Sequence, residues 1–381
     1  MERRDSAARE PDALVRKTAT DAVTSKACMV KLGYFADEFV EPFSALASGG
    51  RLQRRSPLIN RGYFSRTAAI DVAMAQFLAT SGGRGQCVVL GAGMDTSFFR
   101  IASSPERAAQ LRAYFELDFA AIVATKASVI VSKPTLLMLV ATEGPPPADP
   151  RELHGEKYHL MAADLRDLSA VDAQLCAAGW DATLPTLFVS ECVLIYMEAD
   201  EADAVVAWAS KRCARCAFVM YEQLHPHDPF GRTMVLNLKR RGCPLRSIER
   251  YPDEAALRLR FLERGYAAVR FADMNDVYYT HLPAALGAER IKAIERLEMF
   301  DEFEEWHLIQ RHYFFVLAFS EDGAGAGAGA SAAAAAAAPV VREREGEGEG
   351  EEEGDDAALA ATSLASGISF LRATEQSAES V

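Results

Sequence analysis

The chain reads as an α/β protein built on a doubly wound parallel sheet of seven strands, with the order of a nucleotide-binding Rossmann-like fold. Three observations carry this. Strand-like and helix-like stretches alternate through most of the sequence. A short apolar run, Cys87-Val88-Val89-Leu90, stops abruptly at Gly91-Ala92-Gly93, as a buried parallel strand entering a ligand-binding turn does. About 20 residues later a second apolar stretch, Tyr114-Phe115-Glu116-Leu117-Asp118, ends in carboxylates, where such folds hydrogen-bond a ribose.

The strands expected from apolar runs cover 87–90, 114–117, 158–162, 186–190, 217–221, 267–271 and 312–318. Helices are expected over 67–79, 120–130, 170–178, 201–210, 232–241 and 253–264, the last closed by Gly265. Interleaving of this kind suits one domain rather than two. Its expected bounds are 21–320. Residues 1–20, charged and poor in large apolar groups, read as a disordered leader without the apolar core of a secretory signal. Gly144-Pro145-Pro146-Pro147 marks a surface loop. Beyond residue 320 come a Gly/Ala alternation, an alanine run and a Glu/Gly tract, so 321–381 reads as a low-complexity acidic tail. Within it, 357–371 has enough apolar spacing for a short interaction helix.

Charge follows the same division. The chain carries −13, but residues 321–381 hold thirteen acids against three bases, so −10 lies there and only −3 in the first 320 residues. A body without a basic excess argues against nucleic acid as the main partner. No apolar run approaches the ~20 residues that span a membrane. Seven scattered cysteines suit reduced thiols in the cytosol or nucleus. Cys213 and Cys216 form a C-x-x-C pair with no second pair or spaced histidines to complete a zinc site, so no metal is expected.

The turn after the first strand lacks the third glycine of a dinucleotide fingerprint; Met94-Asp95-Thr96 follows instead. That favours a nucleoside ligand without a pyrophosphate, and S-adenosylmethionine fits. Three further stretches bear on it. Ile59-Asn60-Arg61-Gly62-Tyr63-Phe64-Ser65-Arg66 sets two arginines and two aromatics just before a helix, and an arginine fork suits a carboxylate. In Ala163-Asp164-Leu165-Arg166-Asp167, Asp164 is placed to meet an adenine amino group, while Asp167 or Ser169 caps the following helix. Glu191 closes an almost wholly apolar strand, where a charge is costly unless it is paired or faces a cleft; it is either a contact for the methionine amino group or half of a rim salt bridge. There is no nucleophile elbow, no H-E-x-x-H and no glycosidase carboxylate pair. His225 and His227 read as loop residues.

Taken in order, these stretches, with Leu184–Met197, Tyr221-Glu222-Gln223, Asn237–Arg241 and Arg311-His312-Tyr313, resemble the leucine carboxyl methyltransferases. These are class I S-adenosylmethionine-dependent methyltransferases that esterify the C-terminal leucine of the type 2A protein phosphatase catalytic subunit. The resemblance covers about residues 20–319. It implies S-adenosylmethionine as cofactor, the phosphatase tail as substrate, and a cytoplasmic, also nuclear, monomer that binds neither nucleic acid nor membrane. It also implies site residues. Lys26 and Arg66 would meet carboxylates of cofactor or substrate, Gly91 and Gly93 the methionine portion, and Asp118 the ribose. Asp164 and Leu165 would meet the adenine, and Glu191 would make the last cofactor contact. Glu116 lies on the same strand face as Asp118, so alternation alone leaves both open. Arg66 and Tyr196 are the expected catalytic pair, with Tyr221–Gln223 as a wall of the acceptor pocket. A tRNA-modifying or small-molecule carboxyl methyltransferase of the same superfamily is the alternative enzyme, and a catalytically silent phosphatase-binding module the non-enzymatic one.

Overall fold

A computed structural model of the chain describes residues 9–48, 53–141, 152–213, 215–320 and 364–372. Eight strands form one sheet: β1 (Gly85–Leu90), β2 (Leu111–Asp118), β3 (Glu152–His154), β4 (Tyr158–Ala162), β5 (Thr186–Glu191), β6 (Cys216–Gln223), β7 (Ala268–Asp273) and β8 (Tyr313–Phe319). Their spatial order is β3-β4-β2-β1-β5-β6-β8-β7. The five central strands run parallel, whereas β8 lies antiparallel between β6 and β7. Strand order reverses at β1, with β2 on one side and β5 on the other. A crevice therefore opens where the chain leaves β1 in one direction and β5 in the other.

All seven expected strands are present, each within two or three residues of its expected bounds, but the sheet has eight. The addition, β3, is a three-residue antiparallel edge strand with one buried residue, Leu153, too short to show a period of two. Sheet faces follow strand alternation. Cys87 and Val89 face one apolar layer, packed under the N-terminal helices. Val88 and Leu90 face the other, under helices Leu168–Ala177, Ala199–Arg212 and Glu254–Leu262.

Two N-terminal helices, α1 (Arg9–Lys31) and α3 (Pro57–Thr80), build the wall over the crevice, and α2 (Val40–Ser48) packs against α1. Ser56 precedes α3 in extended conformation and Pro57 opens it, the position where proline's missing N–H costs nothing. The Arg61–Arg66 stretch, expected ahead of a helix, is thus its first turns. The leader expected over 1–20 is also shorter, because α1 begins at Arg9. Its sequence is polar, but Ala19 lies so near the turn after β1 that a Cβ on Gly93 would stand 3.4 Å from it. Residues 23–29 are buried throughout.

A second correction concerns the tail. Residues 364–372 pack onto the domain, with Leu364, Ile368, Phe370 and Leu371 all buried in the first apolar layer. The Phe370 ring meets Phe315 of β8 edge-on at 5.6 Å. Gln76 of α3 accepts the N–H groups of Ser369 and Phe370, both at 2.9 Å. Arg270 of β7 donates to the carbonyls of Ile368 and Phe370. The apolar spacing noted over 357–371 is thus realised as Leu364-x-x-x-Ile368-x-Phe370-Leu371 packed on the domain. Residues 1–8, the 144–147 loop and the Gly/Ala and Glu/Gly tracts lie outside the described residues.

Phe370→Ala should therefore lower stability. The loss should be about 1–3 kcal/mol, below the ~3–5 of a central-core truncation because the segment can detach instead of leaving a cavity. Denaturant unfolding of the purified variant measures it, and an unchanged midpoint would show that the segment contributes nothing to the fold.

Candidate active site

The turn that ends β1 is built by backbone conformation before side chains enter. Gly91 and Gly93 take φ of +65° and +53°, the left-handed region that side chains with a Cβ disfavour. The N–H groups of Gly91 and Ala92 donate to the Leu117 carbonyl at 2.8 and 3.1 Å, locking the turn to β2. A Cβ on Gly91 would stand 2.6 Å from Val193 Cγ2. The glycine is thus required by the loop after β5 as much as by any ligand.

Asp118, the last residue of β2, reaches into this turn. Its Oδ2 accepts Gly93 N–H and its Oδ1 accepts Phe119 N–H, both at 2.7 Å. Burial raises its pKa and those two N–H groups oppose the rise. Each oxygen retains acceptor capacity. Glu116, the alternative left open by alternation, has a different environment. It is fully buried, ion-paired to Lys126 at 2.5 Å and hydrogen-bonded by the Tyr158 hydroxyl at 2.7 Å. Burial pushes its carboxyl up to about 7, against the pull of Lys126.

Lys26 of α1 joins the same region from above. Its Nζ donates to Thr96 Oγ1 at 2.7 Å and lies 3.1 Å from Asp37 and 3.4 Å from Asp95. Burial would raise Asp95, but Lys26, Arg100 and Lys126 outweigh it and hold the carboxyl well below its usual range. Arg100 bridges Asp37 and Asp71, so a charged network pins α1, α3 and the glycine turn together.

At the end of β5, Glu191 accepts from Arg66 Nε. The rim salt bridge left open for Glu191 is thus present, with Arg66 as its partner across α3 and β5. The Arg66 guanidinium lies between the rings of Tyr63 and Tyr221, 5.3 and 4.9 Å from their centroids, and Tyr221 stacks on Tyr313 at 5.4 Å. Burial disfavours the charge on Arg66, but Glu191 and the surrounding groups more than restore it. Cys192 follows with φ of +55°, an uncommon conformation for a side chain with a Cβ, and turns the chain toward Tyr196. The Tyr196 hydroxyl is kept neutral by burial.

These elements enclose a cavity of about 610 Å³, lined by every predicted site residue: Lys26, Arg66, Gly91, Gly93, Asp118, Asp164, Leu165, Glu191 and Tyr196. Glu116 is not among its lining residues. Asp164 sits at the rim, its carboxylate gripped by the Arg166 guanidinium at 2.7–3.1 Å, while Asp167 caps the next helix through Ala170 N–H. Of the expected acceptor wall, Gln223 lines the cavity, Tyr221 backs Arg66, and Glu222 points to the opposite side of the sheet. Val15, Arg16, Ala19 and Ala22 of α1 also line it; the first three were missed because residues 1–20 were assigned to the leader, and Ala22 carries no chemical signal of its own. Arg61 is fully buried against Phe300 at 4.0 Å and belongs to the core. Cys213 and Cys216 are buried at a helix end and in β6. Among the described residues no cluster could hold a metal.

A central parallel sheet closed by an antiparallel β8, with a glycine turn and an acid facing one crevice, defines an α/β methyltransferase fold. The family model for leucine carboxyl methyltransferase matches residues 14–210. An Arabidopsis thaliana leucine carboxyl methyltransferase 1 homolog is 38% identical over 310 residues, covering 81% of this chain and 90% of that protein. The leucine carboxyl methyltransferase 1 of Rattus norvegicus is 33% identical, covering 78% and 87%. A human tRNA wybutosine-synthesizing protein 4 is also 38% identical, over 81% of this chain but 44% of that protein. This chain belongs to the leucine carboxyl methyltransferase family and is a methyltransferase.

Asp118→Ala and Glu116→Ala should separate binding from stability. Losing Asp118 should weaken a nucleoside ligand by ~1–3 kcal/mol with little change in melting temperature. Losing Glu116 should instead strand Lys126 in the core and destabilise the fold by ~3–5 kcal/mol. Calorimetric titration with S-adenosylhomocysteine beside thermal unfolding reads both, and a larger binding loss from Glu116→Ala would move the ligand contact to that residue.

Proposed function

We propose that this chain uses S-adenosylmethionine to methylate the α-carboxylate of a C-terminal leucine, and that the substrate is the catalytic subunit of a type 2A protein phosphatase. The observation that carries this is the single cavity joining a nucleoside-type half to a cationic, aromatic half. Its volume lies in the ~300–1,000 Å³ range of small-molecule sites.

The donor set suits the cofactor. Asp118 offers acceptors to vicinal hydroxyls, Leu165 an apolar contact and Asp164 an acid for an amino-substituted ring. Lys26 and Arg66 supply cations for a carboxylate, and Glu191 an anion for an ammonium. Bound there, S-adenosylmethionine supplies an electrophilic methyl group on a sulfonium. The protein's own task is then positional. A C-terminal carboxylate, with a pKa of ~3.5, is already ionised at pH 7, so no residue has to remove a proton. Arg66, held by Glu191 through Nε and flanked by two tyrosine rings, orients the acceptor oxygens with its remaining N–H groups. Tyr196, Gln223 and Tyr313 exclude water from that end. Alignment and desolvation supply the acceleration.

Leucine carboxyl methyltransferase 1 relatives support a protein carboxylate as acceptor. The identity to a tRNA wybutosine-synthesizing protein supports a second reading, action on a modified RNA. A body charge of only −3, with no basic excess, disfavours it. Incubation with labelled cofactor and either the phosphatase subunit, its form lacking the terminal leucine, or tRNA tests the assignment. Base-labile label on the intact subunit alone is expected, and label on tRNA alone would overturn it.

Arg66→Lys should cut turnover by ~100-fold although the charge remains. A point donor cannot reproduce the planar fork, and small misplacements of an acceptor carry that cost. Raising the pH from 7 to 9 should restore nothing. Recovery at high pH in a rate profile would reveal a required base and contradict the orientational role.

A further inference from the structure

One buried carboxylate beside the site remains unused by the mechanism. Glu222 occupies β6, a strand whose eight residues are all buried, and is 1% exposed. Strand alternation turns it away from the cavity that its neighbour Gln223 lines. It enters the apolar layer on the other sheet face, where its cross-strand partner Phe314 and the nearby Met220 also lie. An unsatisfied carboxylate there would be costly.

Its partners explain its presence. Oε1 accepts the Ile195 N–H at 2.8 Å. Burial pushes the carboxyl up to about 7, and Arg260 with the backbone of residues 193–195 opposes the rise. Arg260, itself 1% exposed and ion-paired to Asp203 at 2.9 Å, adds electrostatic support. Residues 193–195 form the turn between Glu191 and Tyr196. On its cavity side, Val193 packs on Gly91, and Glu191, Cys192, Val193, Tyr196 and Met197 line the site. Glu222 holds that same turn from behind. The turn carries a left-handed Cys192 and ends in a three-residue 3-10 segment, Leu194–Tyr196. So little regular structure cannot fix its own geometry, and a buried carboxylate that anchors the Ile195 N–H from behind can.

We propose that Glu222 is a positioning residue for methyl transfer, fixing the turn after β5 so that Glu191, Val193 and Tyr196 meet the cofactor and acceptor in register. The inference rests on the functional reading above for the identity of the reaction, but not for the state of the turn.

Glu222→Gln, near-isosteric and uncharged, and Glu222→Leu test it in the full-length chain. Two readouts are taken: hydrogen exchange by mass spectrometry over 192–197, and steady-state kinetics with labelled cofactor. In Glu222→Gln, exchange at 193–195 should quicken by about tenfold or more, since an amide oxygen is a weaker acceptor for the Ile195 N–H than a carboxylate. Exchange in β5 and β6 should stay protected. At saturating cofactor kcat should fall about tenfold or more, with a larger loss in Glu222→Leu. If Glu222→Leu does not fold, the glutamine variant decides alone. Unchanged exchange over 193–195 together with wild-type kcat in a folded Glu222→Gln would overturn the proposal. Altered exchange in a protein whose wild type methylates no carboxylate would leave the positioning role standing and refute the reaction instead.

Discussion

The ion pair between Arg66 and Glu191 is the constraint on which the site depends. It joins α3, part of the N-terminal wall, to the C-terminal end of β5, and so closes the crevice on the acceptor side. Both side chains are half-buried, 15% and 29% exposed, so each charge is more favourable there with the other than without it. Tyr63 and Tyr221 flank the guanidinium, and Tyr221 sits in register with Glu191 across the β5–β6 pair. The pair is therefore as much a product of sheet register as of helix docking.

A second charged assembly does the same beside the glycine turn. Lys26 from α1, Asp37 from the link to α2, Asp71 from α3 and Arg100 after the glycine turn interlock. Four segments separate in sequence are held at fixed distances from Gly93 and Asp118. The cavity is thus bounded by two electrostatic clamps, with the glycine turn between them. Val193 seated on Gly91 and helix α3, which carries both Arg66 and Asp71, join the two halves.

Much of this was legible in the sequence. The strands were, because buried parallel strands read as compact apolar runs. So were the glycine turn and the acid at the end of β2, because the turn requires left-handed backbone and a nucleoside requires an acceptor. Other features had no local signal. Alternation put Glu116 and Asp118 on one face, and only the return of helix Ala120–Ser132 with Lys126 distinguishes their surroundings. Arg66 and Glu191 are 125 residues apart, so the sequence left a rim salt bridge open for Glu191 but could not name Arg66 as its partner. The first turns of α1 were lost to their polar composition, and β3 to its length. The apolar spacing of 357–371 was legible, but its docking onto the sheet was not. Glu222 was read as pocket wall because its motif was taken as a unit, whereas a strand sends adjacent side chains to opposite faces.

A double-mutant cycle on Arg66 and Glu191 tests the central claim most directly. S-adenosylhomocysteine affinity would be measured by calorimetry for wild type, Arg66→Gln, Glu191→Gln and the double variant. If the pair organises the site as one unit, each single change should weaken binding. The double variant should then be little worse than either, giving a coupling energy of about 1 kcal/mol or more. Additive losses, with coupling near zero, would mean that the two residues contact ligand independently and that the pair is not the organising interaction.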